Sequence, residues 1–209
     1  METDPIFYLY LAVALVVAIS VHEAAHAAMA YHLGDPTAKN QGRLSLNPLK
    51  HLDPIGTLMV FIAHFGWGKP VPVNPYNFKN PVKDSALTSF AGPLSNFVTA
   101  LVLSIPLKYI AMPGWTNDLL WLVLDVNIVL GIFNLLPFPP LDGSKIFAVF
   151  VPKRMQKGYF QFLKKSEVAF LIFLVTDIFL IRNFLGFSIL WEVLQYVFLF
   201  VKSIILLGG

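Results

Sequence analysis

The sequence predicts an all-α polytopic membrane protein of about five to six membrane segments, with a re-entrant segment and a short membrane-associated β-hairpin. Three observations carry that expectation. The chain is 56% hydrophobic and only 13% charged, against roughly 25% charged residues in a typical soluble domain. Its mean hydropathy is +0.68. Its apolar residues fall in runs on the scale of a hydrocarbon core of about 30 Å, separated by turn-forming residues. Such segments use up the 209 residues. A single integral membrane domain over 1–209 is therefore expected, with a core at 5–150 and accessory spans at 166–207. The chain has no cysteine, which excludes a thiol nucleophile, a disulfide framework and thiolate metal ligands. Any metal must be held by histidine and carboxylate. The net charge of +3 reads as topology, and no nucleic-acid partner is expected.

Residues 5–21 carry no charge and run into His22-Glu23-Ala24-Ala25-His26, so one helix is expected from about Pro5 to Leu33, ended by Gly34. Glu2 and Asp4 stand where a signal peptide would be basic. Lys39, Arg43 and Lys50 follow the helix closely, so the positive-inside rule puts the N-terminus outside in a multi-pass cell-membrane protein. Glu23 lies about 26 Å along the helix from Ile6 at ~1.5 Å per residue, toward the cytoplasmic face. Histidines four apart stand one above the other on a helix face, where both imidazoles reach a single zinc. Glu23 follows the first of them, placed to act on a metal-bound water. Ionisable groups at membrane depth are costly and mark function.

Residues 34–83 do not read as an ordinary span. A turn-rich stretch precedes an apolar one too short to cross, which suggests re-entry. Asp53-Pro54 reads as an N-cap with proline at the first helical position. His51 and His64 are candidates for supporting a metal ligand from behind. Arg43–Leu46 and Lys69–Val73 alternate like short strands. Pro70 and Pro72 strip N–H donors from one side of the second and leave those of Val71 and Val73 on the other. That edge is expected to bind substrate by strand pairing. Irregular backbone at this depth belongs beside protein or a wet cavity, hence beside the active site.

A second span is expected from Asp84 or Ser85 to about Met112. Small residues at 91, 92 and 95 permit close helix contact, and Asn96 needs a polar partner from a neighbouring helix or the active site. In a third span, Leu119 to about Leu136, Asn127, Gly131 and Asn134 form a narrow stripe facing the interior. Asp125 is expected to pair with Lys108. Pro137, Pro139 and Pro140 break this helix, and Leu141-Asp142-Gly143 opens another apolar stretch. Five basic residues between Lys153 and Lys165 mark a cytoplasmic loop. Two further spans, about 167–181 and 184–207, turn around Arg182 and Asn183, with Asp177, Glu192 and Gln195 as interfacial or helix-pairing groups.

Catalytic zinc takes three protein ligands and keeps one position open. The topology brings Asp142 to the depth of His22 and His26. Asp35, Asp53 and Asp84 lie on the same side, but in turns or caps of looser segments.

HEAAH at 22–26, AGPLSN at 91–96 and NLLPFPPLDG at 134–143 resemble the site-2 protease family of intramembrane zinc metalloproteases. GRLSLNPLKHLDPIGTL from Gly42 and WGKPVPVNP from Trp67 resemble its small prokaryotic members without a PDZ domain. The resemblance implies one Zn2+ per chain held by His22, His26 and Asp142, with Glu23 activating water. It further implies that Asn134 assists substrate binding or the oxyanion. The implied reaction is hydrolysis of a peptide bond in or near a transmembrane helix of a membrane-protein substrate, with the lipid bilayer as the other partner. A divalent-metal transporter would spread polar ligands along a path to both faces. A prenyl-protein endopeptidase would take its third ligand from a Glu or His on another helix.

Overall fold

The computed structural model describes residues 5–63 and 67–207. It is mostly helical: α1 (Pro5–His32), α2 (Thr37–Asn40), α3 (Pro54–Ala63), α4 (Pro81–Tyr109), α5 (Gly114–Asn134), α6 (Asp142–Phe147), α7 (Lys153–Thr176), α8 (Arg182–Leu185) and α9 (Ile189–Ile205). Helices α1, α4 and α5 are each long and apolar enough to cross a membrane. The stretch Lys153–Phe184 passes the same test only together with α9, to which it is bent by 99°. The protein thus has three or four candidate spans and is read as multi-pass.

Helices α1, α4 and α5 pack on one another, with α9 against α5 and α6 against α4. Ala14 and Ala18 of α1 and Ala91, Gly92 and Ala100 of α4 are buried. Side chains this small let backbones approach closely where lipid gives little hydrophobic drive for helix association. The apolar centre is Leu124, Ile128 and Ile132 of α5 with Ala100, Leu194 and Ile205. A second cluster joins Leu141 to Phe170 and Leu174.

Helix α1 ends as expected. Gly34 has φ +106°, its N–H donates to the Tyr31 carbonyl and that of Asp35 to Ala30, which is the Schellman arrangement. Asp53 caps α3 through the Gly56 N–H at 2.8 Å. The expected hairpin differs. Among the described residues no strand forms at 43–46 or 69–73; a single isolated antiparallel bridge, Leu52 with Gly68, lies outside both segments. Pro70 and Pro72 offer no N–H to a ladder, and side chains hold the second segment instead. The last two spans also differ, because the helix continues through a π-helical turn, Asp177–Ile181, into α8 and turns at Gly186 (φ +79°). Asp125 pairs with Lys202 of α9 at 2.7 Å, whereas Lys108 donates to the Leu206 carbonyl. His64 lies outside the described residues.

Candidate metal centre

His22 and His26 sit on the inward face of α1, 5% and 8% exposed. Their ring nitrogens are sorted by what each one meets. Nδ1 of His26 faces the Thr88 carbonyl at 2.7 Å. A carbonyl only accepts, so the proton is on Nδ1. Nδ1 of His22 faces Oδ1 of Asn96 at 2.7 Å, while the Asn96 amide donates to the Ala18 carbonyl and to Oδ1 of Asn127. Those two bonds fix which end of Asn96 is oxygen, and His22 too carries its proton on Nδ1. Asn127 is held in turn by the Val123 carbonyl at 2.8 Å.

Both Nε2 lone pairs then point the same way. They lie 3.0 Å apart, and each is 3.1 Å from Oδ2 of Asp142. Asp142 is also buried. It is the first residue of α6, and its carboxylate caps no N–H there. Two imidazole lone pairs and a carboxylate oxygen at contact distance are three acceptors with no proton among them. A cation resolves that arrangement. Zinc bonds of about 2.0–2.1 Å in tetrahedral geometry space ligand atoms by roughly 3.3 Å, close to the distances seen. The three residues form a group able to hold a metal ion, and partners on Nδ1 are what orient metal-binding histidines.

Two glycines permit the approach. A Cβ on Gly92 would fall 2.5 Å from the His26 ring and 2.7 Å from that of His22. A Cβ on Gly143 would meet the Leu135 and Leu136 carbonyls at 2.2 Å, so this glycine lets α6 turn tightly against the end of α5.

Glu23 is half-buried beside the cluster, and its Oε2 accepts the Val71 N–H at 2.7 Å. Segment 69–74 therefore lies against Glu23. Val73 is half-buried nearby, with no intramolecular partner for its N–H among the described residues. Asn96 supports His22 directly. Asn134 donates to the Leu130 carbonyl of its own helix and joins no hydrogen bond of the cluster. His51 is fully buried against the Ser45 carbonyl. Asp53 and Asp84 make local hydrogen bonds to their own caps, and Asp35 accepts from Thr37 and, across the chain, from Asn74 and Asn77.

Sequence reasoning missed the Thr88 carbonyl, which has no side-chain signature. It also missed the contact of Gly92 with both histidines, although the small residues around it had signalled a close helix crossing.

A mainly helical membrane protein with a convergent His-His-carboxylate group and an adjacent glutamate belongs to the class of membrane metallohydrolases. Comparison with known proteins narrows this class. The description "Peptidase family M50" matches residues 108–176. YwhC of Bacillus subtilis, named as a zinc metalloprotease, is 41% identical over 197 residues, covering 89% of this chain and 86% of its own. Rip2 of Mycobacterium tuberculosis H37Rv is 30% identical over 135 residues, 61% of this chain and 51% of the relative. The archaeal zinc metalloprotease MJ0392 of Methanocaldococcus jannaschii is 32% identical over 91 residues, 44% of this chain and 25% of its own. The chain thus spans most of YwhC and about half of Rip2. No solved structure matches this one. The chain belongs to peptidase family M50, the site-2 protease family of zinc metalloproteases.

Proposed function

We propose that the chain is a zinc-dependent intramembrane endopeptidase cutting peptide bonds in or near transmembrane helices of membrane-protein substrates. The observation that carries this reading is the convergence of three acceptors, Nε2 of His22 and of His26 on a helix apolar enough to span a bilayer and Oδ2 of Asp142 at the start of α6. These three hold one Zn2+ per chain. The metal supplies Lewis acidity, polarising a carbonyl oxygen and making water nucleophilic near neutral pH.

The chain's own residues do the rest. Glu23 takes the proton of the attacking water and returns it to the leaving amine. Asn96 and Thr88 hold the two imidazoles with Nε2 inward. Asn134, near the outgoing end of α5, assists the substrate or the oxyanion. A scissile bond inside a helix is wrapped in its own hydrogen bonds, so the substrate must unwind. The unwound segment lies along 69–74, where the Val73 N–H is an open donor for strand pairing and Val71 contributes side-chain contact.

In the bilayer the N-terminus is outside, residues 34–83 and 152–165 are inside, and the active site opens toward the cytoplasm. Helix α3, about 15 Å long at ~1.5 Å per residue, re-enters, and the arms on either side of Gly186 make the last two of five to six segments.

Cleavage of a candidate membrane peptide by the purified protein and by Glu23→Gln, with zinc measured in both, tests the reading. Wild type should cut with one zinc bound, and the variant should keep the zinc and not cut. Equal cutting by both would end it.

A further inference from the structure

Arg43 is a buried cation, 6% exposed. Among the described residues no carboxylate lies within ion-pair distance of it. Its guanidinium donates instead to two successive backbone carbonyls, those of Lys69 and Pro70. Burying a guanidinium is costly unless its donors are used. Here Nη1 and Nη2 take up carbonyls of a segment whose prolines prevent it from pairing as a regular strand, while Nε has no partner among the described residues.

The same segment is tied down at both ends. The Lys69 N–H donates to the His51 carbonyl at 2.7 Å, and the Asn74 N–H to Oδ2 of Asp35 at 2.7 Å. Asp35 is itself fully buried and further engaged by Thr37 and Asn77. Burial raises its carboxyl, but hydrogen bonds from Thr37, Asn77 and Asn74 outweigh that and hold it below its ordinary value. At the start of the segment, Gly68 abuts Ile19, where an added Cβ would come within 2.7 Å of the Ile19 side chain. Pro70 and Pro72 fix φ near −65° on either side of Val71. Between these anchors one donor points at the metal cluster: the Val71 N–H, on Oε2 of Glu23.

We propose that Arg43 is a positioning residue for the catalytic base. By clamping the 69–74 strap it holds the Val71 amide on one oxygen of Glu23 and so aims the other at the reacting water. The proposal rests on the reading of Glu23 as that base. A glutamate has three rotatable bonds, and the two proton transfers proposed for Glu23 need one of its oxygens to face the metal. A rigid N–H on the other oxygen selects the productive rotamer before substrate arrives. It also gives Val71 and Val73 different tasks, since the first N–H serves the enzyme's base and only the second is open to substrate.

The test uses the full-length zinc-loaded protein in bicelles with a membrane-peptide substrate. In one variant the Val71 residue is replaced by its α-hydroxy acid, which turns the Pro70–Val71 amide into an ester, removing the N–H on Glu23 and weakening the Pro70 carbonyl that accepts from Arg43. Arg43→Gln and Arg43→Lys are measured beside it. The ester and Arg43→Gln should lower kcat roughly tenfold, with KM within about twofold and zinc stoichiometric. Arg43→Lys should recover most of the loss, because an ammonium can donate to both carbonyls. An unchanged kcat in the ester variant overturns the proposal, as does a raised KM with kcat intact, which would assign the Val71 N–H to substrate. If Arg43→Gln loses zinc or fails to fold, the ester decides alone. A zinc-loaded wild type that cuts no membrane peptide would instead sink the functional reading before any variant is compared.

Discussion

Asp142 and Asp177 are both buried carboxylates in an apolar protein, and burial alone does not tell them apart. Their neighbours do. Asp177 accepts from the Ser188 hydroxyl and from the N–H groups of Ile189 and Leu190, so it holds the start of α9 as a cap would. Its charge is matched by donors the chain itself supplies. Asp142 meets the unprotonated nitrogens of His22 and His26, and there the acceptors outnumber the donors. An imbalance of that kind is tolerable only where a cation belongs. The count of donors, rather than depth or charge, separates the candidate metal ligand from the structural carboxylate.

The largest effect that would break this contrast is expected at the unbalanced end. Asp142→Asn and His22→Ala should lose zinc and, with it, hydrolysis down to background, read by metal analysis and peptide cleavage together. Full zinc and full activity in Asp142→Asn would remove it from the ligand set. Glu23→Gln should lower turnover by roughly 10²–10⁴ while zinc stays bound, because the ligands are untouched.

Gly92→Ala sharpens the argument from packing. Its methyl carbon would lie 2.5 Å from the His26 ring, on backbone of a packed helix that cannot easily retreat, so one or both imidazoles must move. Metal affinity should fall although no ligand has changed. Asn96→Ala acts one shell further out by releasing the His22 ring, and a weakening of zinc binding by about 10–100-fold is expected. Titration against a competing chelator orders the two. Wild-type affinity in both would mean that the close helix crossing does not orient the histidines.

Much of this was legible in the sequence, and what was not has physical reasons. HEAAH announced itself through helical spacing, and Asp142 through its depth in the topology, both of which depend only on local periodicity and loop charge. The end of α1 was legible because Gly34 alone tolerates the required φ. The 69–74 segment was expected as a strand; it lies against Glu23 but forms no strand, because its fixation depends on Arg43 and Asp35, distant residues that leave no periodic trace. Asp125 was matched with Lys108, the nearer cation on an adjacent helix. Lys202 won because α9 packs on α5, a tertiary fact outside the reach of local pattern. Asn127 and Asn134 shared one predicted polar stripe, but only Asn127 lies at the level of Asn96 and enters the network.

The smallest effect on chemistry is expected at the balanced end, and it completes the comparison. Asp177→Asn keeps the size of the side chain and one carbonyl oxygen, but exchanges the other acceptor for a donor that would face the N–H groups of α9. Two or three hydrogen bonds to a charged acceptor are weakened, and each is worth about 1.5–3 kcal/mol when its partner carries charge. Since α9 packs on α5, the cost should appear as a lower unfolding temperature of the detergent-solubilised protein. Zinc content and kcat should not move, because no donor or acceptor of the His22, His26 and Asp142 group is shared with Asp177. Loss of zinc in Asp177→Asn at temperatures where the protein is still folded would show that the two ends are coupled, and that counting donors locally is not enough to tell a structural carboxylate from a functional one.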